Sequence, residues 1–182
     1  MALTNKRVVI TGAGGMLAHD VAERLSALGA NLLLVDIREV SVGSTQVGRL
    51  DITDAAQVTE LIEREKPALI INCAAYTAVD DAEKNLDKAF AINAIGPRNL
   101  ALAARSVGAV LVHFSTDYVF GNACVAGKAR KPFNENDEPQ PCGVYGQSKR
   151  MGDELVQAIL PDNHLLIRTS WLHGAHGPNF IA

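Results

Sequence analysis

No apolar stretch of this 182-residue chain reaches the roughly 18 residues that a membrane span requires. Residues 1–7, MALTNKR, run straight into a strand-like segment without a signal-peptide core. The expectation is a cytoplasmic protein that engages no membrane. Cysteine is scarce: Cys73, Cys124 and Cys142 are odd in number and irregularly spaced, which argues against a disulfide framework or a zinc site and predicts reduced thiols. An excess of positive charge is missing too. With 17 basic against 20 acidic residues the formal charge is −3, so the chain lacks the broad cationic face that a nucleic acid polymer needs. Acidic substrates must then be met by local basic groups. His173 and His176 in "HGAHG" have no cysteine or carboxylate close by, so they read as loop residues and no metal is expected. His19 and His164 stand alone and read as surface or capping histidines.

What the chain does have is a hydrophobic composition of 48%, enough for a core of its own, and a length that fits one domain over residues 1–182. Short β-branched runs alternate with longer helical patterns. Strands are expected at Arg7–Thr11, Asn31–Asp36, Ala68–Asn72, Ala109–Phe114 and His164–Arg168, with a further short one before Asp51. Helices are expected at Met16–Leu28, Ala55–Glu65, Asp80–Val107 and Tyr145–Leu160. This is the pattern of an α/β protein with a Rossmann-like doubly wound parallel sheet and helices on both faces. Residues 121–141 break the rhythm with Gly121, Gly127, Pro132, Pro139 and Pro141 among charges. So long a loop at the carboxyl end of a strand is either a substrate-facing lid or a surface insertion.

"VVITGAGGMLAHD" sets Gly12, Gly14 and Gly15 between a strand and a helix, where main-chain N–H groups can face a pyrophosphate. The spacing departs from the usual dinucleotide fingerprint in its first interval and carries Ala18 in place of the last glycine, the smallest change that close helix packing admits. Asp36 closes the second strand in "LLLVDIRE", where a carboxylate can accept both hydroxyls of an adenosine ribose and would repel a ribose phosphate. NADH is therefore expected over NADPH, with Arg38 softening the preference. Asp51 and Ile52 either flank the adenine or form a plain turn. In "VYGQSKRMGDE", Tyr145 and Lys149 stand four residues apart on one helix face. An ammonium at ~4 Å in an effective dielectric near 20 contributes roughly 4 kcal/mol, which is about three pKa units at most. Lys149 is thus expected to bring the Tyr145 phenol from about 10 toward neutrality as a proton donor or acceptor. Thr116, at the end of the Ala109–Phe114 strand, would hold a carbonyl oxygen beside it.

Five stretches carry a resemblance: "INCAAYTAVDDAE", "AINAIGPRNLA", "LVHFSTDYVF", "VYGQSK" and "IRTSWLHG". With them the chain resembles the extended short-chain dehydrogenase/reductases over its whole length, and among these it looks most like the dTDP-4-dehydrorhamnose reductase family. The resemblance implies Thr116, Tyr145 and Lys149 as a catalytic triad that reduces the C4 keto group of a nucleotide sugar. It implies Met16, Leu17, Cys73, Ala74, Ala75, Tyr76 and Asn93 along the cofactor, and Asp117, Tyr118 and Trp171 toward the sugar. Without the family, Trp171 reads equally as a core aromatic. Dehydratases of the superfamily place Asp-Glu after the threonine; Asp117 followed by Tyr118 argues for a simple reductase. Lys128, Arg130 and Lys131 meet a substrate diphosphate or belong to a solvated insertion. Family members continue for roughly another hundred residues that form most of the sugar pocket. A partial chain with weak turnover is the expectation. A homodimer stays open, as do two other functions: a non-catalytic regulatory subunit resembling that of methionine adenosyltransferase, and a nucleotide-sugar epimerase.

Overall fold

Valine and isoleucine runs that are apolar on both faces can only be satisfied inside a sheet covered on both sides, and that is where they lie. The structure, a computed structural model, describes residues 3–43, 45–121 and 132–176. Strands β1 (Arg7–Thr11), β2 (Asn31–Asp36), β5 (Gly48–Arg49), β6 (Leu69–Asn72), β7 (Val110–Thr116) and β8 (His164–Thr169) form one sheet, β5-β2-β1-β6-β7-β8. Every pairing in it is parallel. Two further strands, β3 (Ser41–Val42) and β4 (Thr45–Gln46), make a small hairpin. The chain begins at β1, winds to one edge, then returns to β6 on the other side of β1. The connections that leave β1 and β6 therefore lead to opposite sides of the sheet, and the crevice at their carboxyl ends is the switch point where such sheets take ligands.

Helices α2 (Ala55–Glu65), α5 (Gly96–Val107) and α6 (Val144–Ile159) pack Val58, Ile62, Leu100, Ala104 and Val156 with Val9, Ile70 and Leu111 of the sheet. On the opposite face α1 (Met16–Ala27) brings Ala18 and Ala22 against Val8, Ile10, Leu34 and Ile71. The doubly wound reading holds, with the covering unequal among the described residues.

The single helix expected over 80–107 is a correction. The chain there forms α3 (Val79–Ala82), α4 (Leu86–Phe90), a π-helical turn (Ala91–Ile95) and then α5. Pro97 at the start of α5 has no N–H to give to a preceding turn, so a continuous ladder is broken there. Gly96 lets the turn close onto Ile52, whose Cδ1 would stand 2.5 Å from a Cβ at that position. Strand β7 also runs further than expected: Ser115 and Thr116 pair with Arg168 and Thr169 of β8, and the 3-10 turn Asp117–Phe120 follows.

At the far end of the long segment, Cys142 is disulfide-bonded, which corrects the expectation of three reduced thiols; Cys73 is free. The chain returns on itself there, with Cys142 Sγ against the carbonyl oxygen of Gly121, so sequence spacing gave no hint of the sulfur's surroundings. Cys124, Lys128, Arg130 and Lys131 lie outside the described residues. The part that is described is tied down to α6, where Arg150 donates to Pro139 O and Glu138 Oε1.

Candidate active site

The glycine turn is built by close approach. Gly12 has φ +65°, and a Cβ there would meet Ala74 N at 2.6 Å, Ala74 Cα at 2.7 Å and the Cys73 carbonyl carbon at 2.8 Å. Only glycine permits β1 to turn this near the end of β6. Gly15 then starts α1 with no side-chain cap, and the first turn holds no acidic residue. The orphan N–H groups around Met16, Leu17 and Ala18 are thus left to an anion.

At the end of β2, Asp36 accepts from Gly14 N at 3.0 Å, Arg38 N at 2.9 Å and Arg38 Nε at 3.2 Å. Burial pushes its carboxyl up, but the Arg38 hydrogen bonds, the Gly14 N–H and the Arg38 charge together hold it below the ordinary value. With three of about four acceptor positions taken, a ribose gets one remaining position on Oδ2 unless a protein donor gives way. The plain-turn alternative describes Asp51, whose Oδ1 accepts from Thr53 N at 2.9 Å and Thr53 Oγ1 at 2.7 Å. Ile52 points into the core.

Beyond β6 the wall is braced from within. Asn93, in the π turn, accepts from Tyr76 N at 2.8 Å and donates to Tyr76 O and Ser148 Oγ, each at 3.0 Å. Its amide is spent on protein, so the expected cofactor contact is corrected to a support for Tyr76. The Tyr76 hydroxyl donates to Asp81, which raises the phenol's pKa. Burial pushes the Cys73 thiol up to about 12, leaving it inert at neutral pH.

The triad positions meet at the end of β7. Thr116 is its last residue, with Oγ1 accepting from Tyr118 N and lying 3.2 Å from Asp117 Oδ1. Asp117 Oδ2 accepts from Ser170 Oγ at 2.7 Å. The Tyr145 ring, on the first turn of α6, stands edge-on to Tyr118 at 5.6 Å. Gly146 allows this approach, since a Cβ there would fall 2.6 Å from Tyr118 O. Lys149, one turn on, is buried and donates to Phe114 O at 2.6 Å.

One electrostatic expectation is overturned. Burial pushes the Tyr145 phenol up, not toward neutrality; a Thr116 hydrogen bond opposes this, while Asp117, Tyr118 and Asp153 add to it. The ammonium sits against the β7 carbonyl instead of the phenol, and burial lowers Lys149 itself to about 8. Trp171 is 65% exposed with φ +49°, so the core-aromatic alternative falls.

A buried polar group beneath Lys149 escaped the sequence reading. Asn72 Oδ1 accepts from Thr11 Oγ1 at 2.6 Å and Ala74 N at 3.2 Å, and Asn72 Nδ2 lies 3.0 Å from His113 Nδ1. Because the Ala74 amide can only donate, the Asn72 amide is oriented, His113 Nδ1 accepts, and the ring proton sits on Nε2. That Nε2 faces Asp153 Oδ1 at 3.7 Å. Burial and the Lys149 charge keep His113 well below its usual value, so this is a neutral N–H facing a carboxylate, not an ion pair. Asp153 Oδ2 accepts from Ser115 Oγ at 2.7 Å, with Arg168 Nε 3.6 Å away. The signal available in the sequence was Asp153 four residues after Lys149, on the same helix face.

A parallel doubly wound sheet with a glycine turn at its switch point, and a Tyr-x-x-x-Lys helix packed at the end of its fifth strand, is the layout of the short-chain dehydrogenase/reductases. Residues 6–182 match the model of the RmlD substrate binding domain, and the chain belongs to that family. It is 44% identical over 176 residues to a dTDP-4-dehydrorhamnose reductase of Streptomyces griseus, covering 97% of this chain and 53% of the relative. A Mycobacterium tuberculosis enzyme of the same name is 40% identical, covering 100% and 56%. The crystal structure of the Bacillus anthracis dTDP-4-dehydrorhamnose reductase in complex with NADP aligns with TM-score 0.85 at 40% identity, covering 98% and 58%. A Brucella ovis UDP-glucose 4-epimerase in complex with NAD, TM-score 0.75 at 19% identity, is similar in fold alone. The chain spans about half the length of the curated relatives it matches.

Proposed function

We propose that residues 1–182 are the dinucleotide-binding and catalytic part of a reductase of the C4 keto group of a nucleotide-activated deoxy sugar, taking dTDP-4-dehydrorhamnose to dTDP-L-rhamnose. The observation that carries this reading is the gathering of Thr116, Tyr145 and Lys149 at the carboxyl end of β7, two strands from the glycine turn. The names of the relatives supply the sugar. A dinucleotide fits the residues present: the uncapped first turn of α1 suits a pyrophosphate, and Asp36 keeps an acceptor position for the adenosine ribose. Gly12, Gly14, Gly15, Met16 and Leu17 would hold the phosphates, and Cys73, Ala74, Ala75 and Tyr76 would wall the far side.

A reduced nicotinamide bound there supplies the hydride that the carbonyl carbon accepts. Tyr145 gives its phenolic proton to the carbonyl oxygen, and the tyrosinate regains a proton from water. Thr116 donates a hydrogen bond to the same oxygen, releasing a contact to Asp117 that is long at 3.2 Å. Lys149 would hold the nicotinamide ribose and offer its charge to the phenolate as it forms. Asp117, Tyr118 and Trp171 border the sugar.

For the cofactor we favour NADH while the Asp36–Arg38 pair holds, with Nε 3.2 Å from Oδ1. Arg38 is the more exposed partner and would turn to a ribose phosphate, which accords with the NADP bound to the Bacillus anthracis relative. Fluorescence titration with NADH and NADPH tests the reading. Saturable binding that Asp36→Ala abolishes for NADH is expected; a folded chain that binds neither dinucleotide overturns it.

A further inference from the structure

Lys149 is a poor place for a charge. It is 2% exposed, it lies between α6 and β7, and its one hydrogen bond among those described is to a main-chain carbonyl. A neutral amine would bind that carbonyl too, so something else must decide its charge state. The groups that face it are few. On β7 there is His113, which its own burial keeps neutral. On β8 there is Arg168, a like charge that stands beside Asp153. The 3-10 turn brings Asp117 and Tyr118, which face Tyr145, and α6 itself carries Tyr145 and Asp153. Among the described residues only Asp153 is a carboxylate enclosed in the same interior, one helical turn from Lys149 and also 2% exposed.

We propose that Asp153 is the positioning residue of this site: held in place by Ser115, His113 and Arg168, it keeps Lys149 an ammonium seated on the β7 carbonyl. The surroundings of Asp153 fit this role better than a simple ion pair. Ser115 fixes Oδ2 at 2.7 Å, and Arg168 stands behind it at 3.6 Å. His113 aims its Nε2 proton at Oδ1, and the 3.7 Å gap lacks only about 0.7 Å of a hydrogen bond. Neither of those two atoms has another hydrogen-bonding partner among the described residues. His113 is in turn fixed by Asn72, which also receives the Ala74 amide. A continuous line of side chains thus joins the wall beyond β6 to the carboxylate beneath Lys149. Movement of the Ala74 amide on ligand binding would be felt at His113 and Asp153. The electrostatic balance agrees in direction: burial lowers Lys149 to about 8 and Asp153 opposes the fall.

The role proposed for Lys149 in the preceding section gives this pair its purpose, but the pair can be tested without any turnover. The chain is labelled with 13Cε-lysine, and the Lys149 resonance is assigned from its loss in Lys149→Met. Asp153→Asn, nearly isosteric, is expected to weaken proton binding at Lys149 by at least tenfold, moving its titration downward by about one unit. Ser115→Ala leaves the carboxylate but frees its Oδ2, and should give a smaller shift in the same direction; it also serves if Asp153→Asn does not fold. A Lys149 titration unmoved in a folded Asp153→Asn or Ser115→Ala chain overturns the inference, since a merely structural Asp153 would alter stability alone. The same samples titrated with NADH separate the two conclusions. Binding without a Lys149 shift removes Asp153 from the site, and a shift without binding removes the dinucleotide reading only.

Discussion

Gly12→Ala is the substitution whose cost can be worked most directly from the structure. Two terms add. The left-handed φ of +65° costs an L-residue about 1–2 kcal/mol. The new methyl would also stand 2.6–2.8 Å from three backbone atoms of Cys73 and Ala74, none of which can swing aside like a side chain end. Overpacking of that kind costs about 1–3 kcal/mol, so the total is about 2–5 kcal/mol. Gly108→Ala isolates the first term, since Gly108 has φ +71° with nothing within 4 Å of the added Cβ. The loss of unfolded-chain entropy is common to both substitutions and cancels between them. Urea unfolding is the assay: at about 1–3 kcal/mol per molar, Gly12→Ala should fall below Gly108→Ala by roughly 1 M in midpoint. Its NADH affinity should fall too, because the Ala74–Tyr76 wall is what the methyl displaces. Equal midpoints for the two variants would refute the close approach of β1 to β6.

Asp36→Asn should weaken NADH binding and also change the acid limb of stability. Since the folded carboxyl titrates below the ordinary 3.8, its contribution is present above that value and is lost as pH falls through the lower folded one; a wild-type advantage that does not shrink on acidification, by urea unfolding, counts against the Arg38 and Gly14 bonds. Tyr145→Phe should lower keto-sugar reduction by about 10²–10⁴-fold with dinucleotide affinity unchanged, read by NADH oxidation and fluorescence; retained reduction would assign the proton to another group. Cys73, half-buried and with desolvation pushing its thiol up to about 12, should resist iodoacetamide at neutral pH until the chain unfolds, and rapid labelling of the folded chain by mass spectrometry would contradict that desolvation.

The elements most legible in the sequence were those that local rules decide. Strands β1, β2 and β6 are short apolar runs flanked by turn residues, and the glycine turn after β1 announces a φ that other residues avoid. Long-range contact defeated the reading elsewhere. The apolar pattern of 80–107 is helical throughout, yet the chain leaves the helix at Asn85, and ahead of Pro97 and the close packing of Gly96 on Ile52 the ladder widens to a π turn. Asn93 looked like a ligand contact in a motif, but its partners, Tyr76 and Ser148, lie 17 and 55 residues away. His113 was hidden in an apolar strand: only its register against Asn72, and the carboxylate of α6 beneath, make it part of a polar line. The Cys142 disulfide belongs to the same class, since no spacing rule sees where a loop returns.

The overturned expectation for Tyr145 matters more for chemistry than for bookkeeping. A phenol brought to neutrality would be partly ionised at rest, and a tyrosinate cannot donate. For reduction the proton must be present when the carbonyl oxygen takes up negative charge, so a burial-raised phenol is the better resting acid. What it lacks is stabilisation of the phenolate after transfer. Thr116 has one hydroxyl hydrogen and spends it on the carbonyl oxygen, so the Lys149 ammonium, one helical turn away, is the group left to supply it. That charge is useful only if Lys149 remains protonated at working pH, and at about 8 its margin is small. The Asp153 carboxylate both opposes the loss of the Lys149 proton and raises Tyr145, the two shifts a donor of this kind needs. On the mechanism proposed above, proton donation by Tyr145 would depend on Asp153, a buried residue that holds the charge of its helix neighbour Lys149.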